Sequence, residues 1–490
     1  MSATTKISLL ASVWFLAVTT ASAQQPTHPP ASPVPPAVAK LCDNTNGPGL
    51  ADGFPEGPVY ILLHRENSKA PWARNPAIQA PGLDVANPAN ARTLVCVEES
   101  RSEVGKYDTG ESGYQASWYV SLVRLSDGKM YSVSPPSFDG ANPPMEKYTP
   151  GAATGKPPIQ PFLRWLRLLV DQKLANFVVH IPAIKETYNG QDAMFENVAA
   201  MAFSRDDTKL VVALLPHETV EGGTPPTPLV VYDVAASKPI TTLYLDYTPW
   251  RVAINNSGSL IAADRYGTAI TIWDVASSQI VHKFDTGLSF DSGHLESLLF
   301  GPNGSSSDGA LAFAGVERAV VWDVSSERQV LSGTGSQIML AAAGAWLVAS
   351  RTSSGTTINE LQSGRQIASF PAIEQNKDFF ASPGGAVVTS EKYYETSIAM
   401  FTNGGAQRDL TLPSIKMDET DYGRIEGITP TADGFAYVGD CFVGLASIAD
   451  PEVHFFATDI DYIKSVAVSP DGKLLVIGDN MGNLSIWRLR

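Results

Sequence analysis

The stretch SVAVSPDGKLLVIGDNMGNLSIWRLR, residues 465–490, decides how the rest of the chain is read. Ser465-Val466-Ala467-Val468 is a short apolar run that leads into the tetrad Ser469-Pro470-Asp471-Gly472. Pro presets one backbone angle and Gly accepts the opposite hand, so the tetrad turns the chain tightly. Lys473 to Ile477 supplies a second apolar strand, and Asp479 to Gly482 a second turn. A third strand ends at Ile486-Trp487-Arg488. Strand, tight turn, strand, tight turn, strand is the pattern of an antiparallel meander.

The same shape recurs upstream. Ala200 to Phe203 runs into Arg205-Asp206-Asp207, Arg251 to Ile254 into Asn256-Ser257-Gly258, and Phe300 into Pro302-Asn303-Gly304. Phe379 precedes Pro383-Gly384-Gly385, Ile428 precedes Ala432-Asp433-Gly434, and a degenerate copy spans Met339 to Leu347 around Ala343-Gly344. Seven units thus fill residues 198–490, roughly 42 residues apiece. Third strands end alike at Val231-Tyr232-Asp233, Ile272-Trp273-Asp274 and Val321-Trp322-Asp323. Here the chain resembles the WD-repeat β-propeller family, and Asp264–Gly267 and Asp479–Gly482 are similar to that family's turn before the Trp strand. Its Gly-His dipeptide occurs once, at Gly293-His294. The resemblance implies a mainly β fold, a seven-bladed propeller over residues 175–490. That family closes its ring with a donated strand, and Ala175 to Pro182, with Phe177, Val179 and Ile181 alternating, fits the place.

Outward from the repeat, Pro161 opens an expected linking helix over 161–174, since Pro at the first helical position forfeits no hydrogen bond. Phe162, Trp165, Leu166, Leu169 and Val170 recur at spacings of three and four, giving one apolar face that suits packing between two domains. Residues 41–160 carry strand signals without a repeat and read as a small β-rich N-terminal domain, with Ser126-Asp127-Gly128-Lys129 as a hairpin turn. Cys42 and Cys96 both fall in it; a disulfide between them is expected in an oxidising compartment, two buried thiols being the alternative. Residues 24–40 are rich in Pro, Ala and Ser and read as an extended linker. Lys6, the apolar run Ile7–Val18 and Ala21-Ser22-Ala23 together read as a signal peptide over 1–23. The expected destination is therefore the periplasm or the extracellular medium.

Composition narrows the partners. The 490 residues carry a formal charge of −15, which opposes a sequence-independent grip on nucleic acid and docking on anionic lipid. No membrane insertion is expected, and the chain is expected to be monomeric. Seven histidines show no metal spacing, and the three cysteines form no zinc or haem pattern. No nucleophile elbow or phosphate-cradling loop occurs, so no catalytic residue, metal or cofactor is assigned.

One pattern concerns partners. The segments expected to join successive units carry an acid beside an aromatic at Asp246-Tyr247, Phe290-Asp291, Asp421-Tyr422 and Asp461-Tyr462. Further acids stand at Asp285, Asp418, Glu419 and Asp459, and Glu186, Asp192 and Glu196 precede the first unit. On a propeller these would form one acidic arc that steers a basic protein and offers aromatic faces to its cations. The alternative use of such acids is solubility alone. The leading expectation is an exported, non-enzymatic protein-binding scaffold or adaptor. The other is an exported propeller enzyme, of quinoprotein-like dehydrogenase or lactonase type, with its site in a central channel.

Overall fold

Apolar runs of five to seven residues, separated by turns of two to five, have a single economical solution, which is to pair each run with the next. The computed structural model describes residues 34–43, 50–51, 55–66, 71–76, 78, 80–107, 110–131, 138–143, 153–171, 175–183, 185–188, 191–216, 226–287, 295–303, 306–315, 317–341, 343–373, 377–391, 397–402, 406–411, 425–431, 433–439, 442–450, 453–457 and 463–489. It is mainly β. From Ala175 onward the described strands form seven antiparallel sheets, six of four strands and one of five.

The sheets follow the chain. Sheet 1 takes Gln191–Phe203, Lys209–Pro216, Thr227–Asp233 and Lys238–Leu245, and sheet 2 takes Val252–Ile254, Leu260–Arg265, Ala269–Asp274 and Gln279–Asp285. Sheet 3 runs from Ser297 to Thr334, sheet 4 from Gln337 to Phe370, sheet 5 from Lys377 to Thr411 and sheet 6 from Ile425 to Ala457. Sheet 7 combines Ile463–Val468, Leu474–Asp479 and Leu484–Leu489 with Ala175–Ile181, which pairs antiparallel to Leu484–Leu489 from the far end of the repeat region. The first strand of each sheet lies against the first strand of the next, and that of sheet 7 lies against that of sheet 1. The segment before the first unit, read above as a connection, is a hairpin: Lys185–Tyr188 adds a fifth strand by pairing with Gln191–Met194.

Register explains the repeated Trp-Asp pairs. Tyr232, Trp273, Trp322, Asn359, Phe401, Ala446 and Trp487 all occupy the same place opposite a second-strand residue in their sheets. Asn359 and Ala446 mark the two units that lack an aromatic. In five sheets the pairing with the fourth strand slips by one residue at this position, a β-bulge. The acid that follows caps the next turn: Asp233, Asp274 and Asp323 accept the backbone N–H of Ala236, Ser277 and Ser326 at 2.8, 2.8 and 2.9 Å.

The core is layered between successive sheets. One layer joins Phe195, Val212 and Val230 of sheet 1 to Val476 and Ile486 of sheet 7; the next joins Val211, Leu229 and Val231 of sheet 1 to Ile254, Ile261 and Trp273 of sheet 2.

The N-terminal region holds a mixed seven-stranded sheet, its long strands Val59–Arg65, Thr93–Lys106 and Ser112–Arg124, the first two parallel. A helix covers each face. α1 (Pro36–Asp43) takes in the last five residues, 36–40, of the stretch read as an extended linker, and these are helical instead. Its Pro36 stands first in the helix, where it costs nothing, and Val38, Leu41 and Cys42 pack on Tyr60, Leu62 and Leu94. Cys42 and Cys96 are joined by a disulfide, with Cα atoms 5.6 Å apart. α2 (Ile159–Asp171) begins two residues before Pro161, which still falls in the first turn, where no intrahelical donor is required. Its Phe162 meets Trp118 edge-on at 5.5 Å, and Phe162, Trp165, Leu166 and Leu169 share one continuous core with the N-terminal sheet and sheets 5 to 7. Residues 1–33 and 172–174, which complete the segments named above, lie outside the described residues.

Candidate functional site

Asp264 is the penultimate residue of the second strand of sheet 2, which ends at Arg265 before the chain reverses through Tyr266, Gly267 and Thr268. Its carboxylate is fully buried. Oδ1 accepts the backbone N–H of Trp250 at 2.8 Å and of Arg251 at 2.6 Å, while Oδ2 accepts that of Gly267 at 3.1 Å. Burial pushes this acid above its ordinary range, against the three N–H donors that hold it down. One side chain therefore ties the segment entering sheet 2 to the turn between its second and third strands.

That turn is unusual. Thr268 donates its N–H to the Arg265 carbonyl at 3.1 Å, and the two central residues, Tyr266 and Gly267, have φ of 53° and 72°. Positive φ at both positions suits Asn-Gly or Gly-Gly; a bulky aromatic there is strained. Tyr266 is 44% exposed and Trp250, fixed by the same carboxylate, is 47% exposed. In sheet 7 the corresponding Asp479 braces only its own turn, accepting the N–H groups of Met481 and Asn483 at 2.9 and 2.7 Å, and Met481 is exposed.

Of the four acid–aromatic pairs, the structure places one. Asp246 faces outward, its side chain 76% exposed, and meets the Arg265 guanidinium at 3.6 Å. Tyr247 does not face outward. Its ring packs on Leu243, Val252 and Ile254, and burial pushes its hydroxyl up to about 12. The Arg265 guanidinium lies over that ring, 5.1 Å from its centre, and the Tyr266 ring stands 6.5 Å away at 49°. Tyr247 is thus the floor of the cluster rather than an anchor on its surface. Phe290, Asp291, Asp421, Tyr422, Asp461 and Tyr462 lie outside the described residues, as do Asp418, Glu419 and Asp459. Asp285 is exposed and accepts the Gly287 N–H at 2.8 Å.

Reading acids beside aromatics passed over Trp250 and Tyr266. The signal that finds them is the Asp264–Gly267 turn with a Tyr where Asn or Gly belongs. Among the described residues no three His, Cys, Asp or Glu side chains are grouped to hold a metal ion, and no helix is long and apolar enough to cross a membrane. No protein-family model matches this sequence, and no curated protein matches it.

Proposed function

We propose that the chain is an exported, non-enzymatic scaffold, a seven-bladed propeller of the WD-repeat type, that captures a protein on the face carrying Asp246, Trp250 and Tyr266. The propeller reading is supported by seven sheets in cyclic contact, the last completed by a strand from before the first. Export is supported by the signal-like N-terminus and by a disulfide, which persists in oxidising compartments. The binding reading rests above all on Asp264: a buried carboxylate fixes the backbone that carries one exposed aromatic and the turn that carries another before any partner arrives. Aromatic anchors fixed in advance lose little entropy on binding, which is where hot spots draw their strength.

Tyr266→Asn supplies the test, because Asn suits the turn while removing the anchor. Chain lacking residues 1–23 is used to capture proteins from an envelope extract. Each retained protein is then purified and titrated against wild type, Trp250→Ala and Tyr266→Asn. The reading requires a partner whose affinity falls at least about tenfold in both variants while the Tyr266→Asn melting temperature holds or rises. Equal affinity for all three proteins would remove this face from consideration.

A further inference from the structure

We propose that Asp246 and the ring face of Tyr247 form a cradle for a guanidinium group, which Arg265 fills within the chain and an arginine of the partner takes over on docking. The inference rests on the reading of this face as a docking surface and adds the chemistry it selects.

Three observations carry it. The Arg265 guanidinium occupies both halves of the cradle at once, 5.1 Å above the Tyr247 ring and 3.6 Å from Asp246. Its hold is weak, since the Asp246 contact is long and Asp246 stands in solvent, where such pairs contribute little. The exchange is therefore close to neutral: a partner's guanidinium regains the same stacking and the same carboxylate. Finally, the Tyr266 ring stands beside the cradle, 6.5 Å from that of Tyr247, and offers an incoming arginine a second, exposed aromatic face.

A guanidinium suits this place better than an ammonium. Its flat face stacks on a phenol ring while its edge donates to a carboxylate, whereas an ammonium is a strongly hydrated point charge. The other charges nearby do not compete. Asp264 is buried beneath its three backbone donors, and Arg251 is turned away, donating to the Trp250 and Glu296 carbonyls at 3.1 and 3.4 Å. The chain's charge of −15 favours the approach of a basic segment.

Fluorescently labelled hexa-arginine, hexa-lysine and hexa-citrulline peptides, titrated by anisotropy against the full chain, test the exchange. Arg265→Ala should bind hexa-arginine about three- to tenfold more tightly than wild type, and Asp246→Asn several-fold more weakly. Hexa-lysine should gain less from Arg265→Ala, and hexa-citrulline nothing. Arg351→Ala removes an equal charge at a stacked arginine on sheet 4, over Phe379 rather than over Tyr247. A gain there as large as in Arg265→Ala would mean bulk charge alone and would overturn the proposal. So would hexa-arginine affinity unmoved by Arg265→Ala and Asp246→Asn, or absent in every variant. Loss of partner capture in Tyr266→Asn would still stand in those cases, so failure of the cradle and failure of the scaffold reading are told apart.

Discussion

The buried carboxylate of Asp264 accepts the backbone N–H of Trp250 at 2.8 Å across fourteen residues of sequence, and so couples an exposed tryptophan to the turn that presents Tyr266. Asp264→Ala would remove the acceptor of one buried and two half-buried N–H donors. A loss of about 2–4 kcal/mol in urea unfolding is expected, together with loss of capture. Asp264→Asn keeps the oxygen that faces Trp250 and Arg251 and loses only the Gly267 contact, so its cost should be about half as large. Equal losses in the two variants would mean that the negative charge and the Gly267 contact carry the whole effect, since Asn has nearly the volume of Asp and keeps the other two hydrogen bonds.

Acid should act on this protein in two opposite ways. Burial raises Asp264 and Asp479 above their ordinary 3.8, so the folded chain holds these protons more tightly than the unfolded one. Stability must then fall as pH climbs from 3.8 through their folded values, and level off above. The Arg124 guanidinium, by hydrogen bonding, holds Asp127 down to about 2, and the Ser277 and Ser325 hydroxyls hold Asp274 and Asp323 low. Their contributions are complete above 3.8 and are lost as pH drops toward the folded values. Calorimetric melting between pH 2.5 and 7 should show a maximum on the acid side of neutrality, and Asp264→Asn should flatten the limb above it. A limb of unchanged slope in that variant would contradict the assignment.

The turns after the third strands offer a stabilising change. Ser237, Ser278 and Glu327 have φ of 52°, 58° and 52°, and sheet 4 places Gly364 there at 71°. Only glycine adopts this conformation without a steric penalty. Ser278→Gly should therefore raise stability by about 0.5–1 kcal/mol, and Gly364→Ser should lower it by a similar amount, both read from urea midpoints at constant slope. Opposite signs would show that the turn is held by contacts rather than by backbone preference.

The Cys42–Cys96 disulfide closes a separation of 54 residues and fastens α1 to the N-terminal sheet. By chain entropy its loss should cost about 4 kcal/mol. An eight-residue helix does not persist without tertiary support, so α1 should loosen first. Trypsin cleavage after Lys40, exposed on α1, should accelerate in the Cys42→Ala/Cys96→Ala double variant while sheets 1 to 7 keep their protection. Cleavage at an unchanged rate would place the hold on α1 in Val38 and Leu41 instead.

What the sequence determined by itself is what lies within about a dozen residues. The apolar runs, the glycine-bearing tetrads and the Trp-Asp endings are local devices, and they located all seven units and even the distant strand Ala175–Ile181, whose alternation marks one buried face. The two units without an aromatic were also legible, and register puts Asn359 and Ala446 in that place. Tertiary structure decided the rest, because burial depends on neighbours far away in the chain. The polar half of Thr93–Lys106 extends only because Ser112–Arg124 pairs with it, and proline-flanked α1 is helical because one face of a sheet needs covering. The site divides in the same way. Asp246 beside Tyr247 was plain in the sequence, but which of the two faces outward was not: Tyr247 sinks among residues of sheets 1 and 2, and Arg265 closes over it. That the Trp250 backbone and the Tyr266 turn are tied together follows from a carboxylate whose donors lie on both sides of a folded strand, a relation that exists only once the sheet has formed.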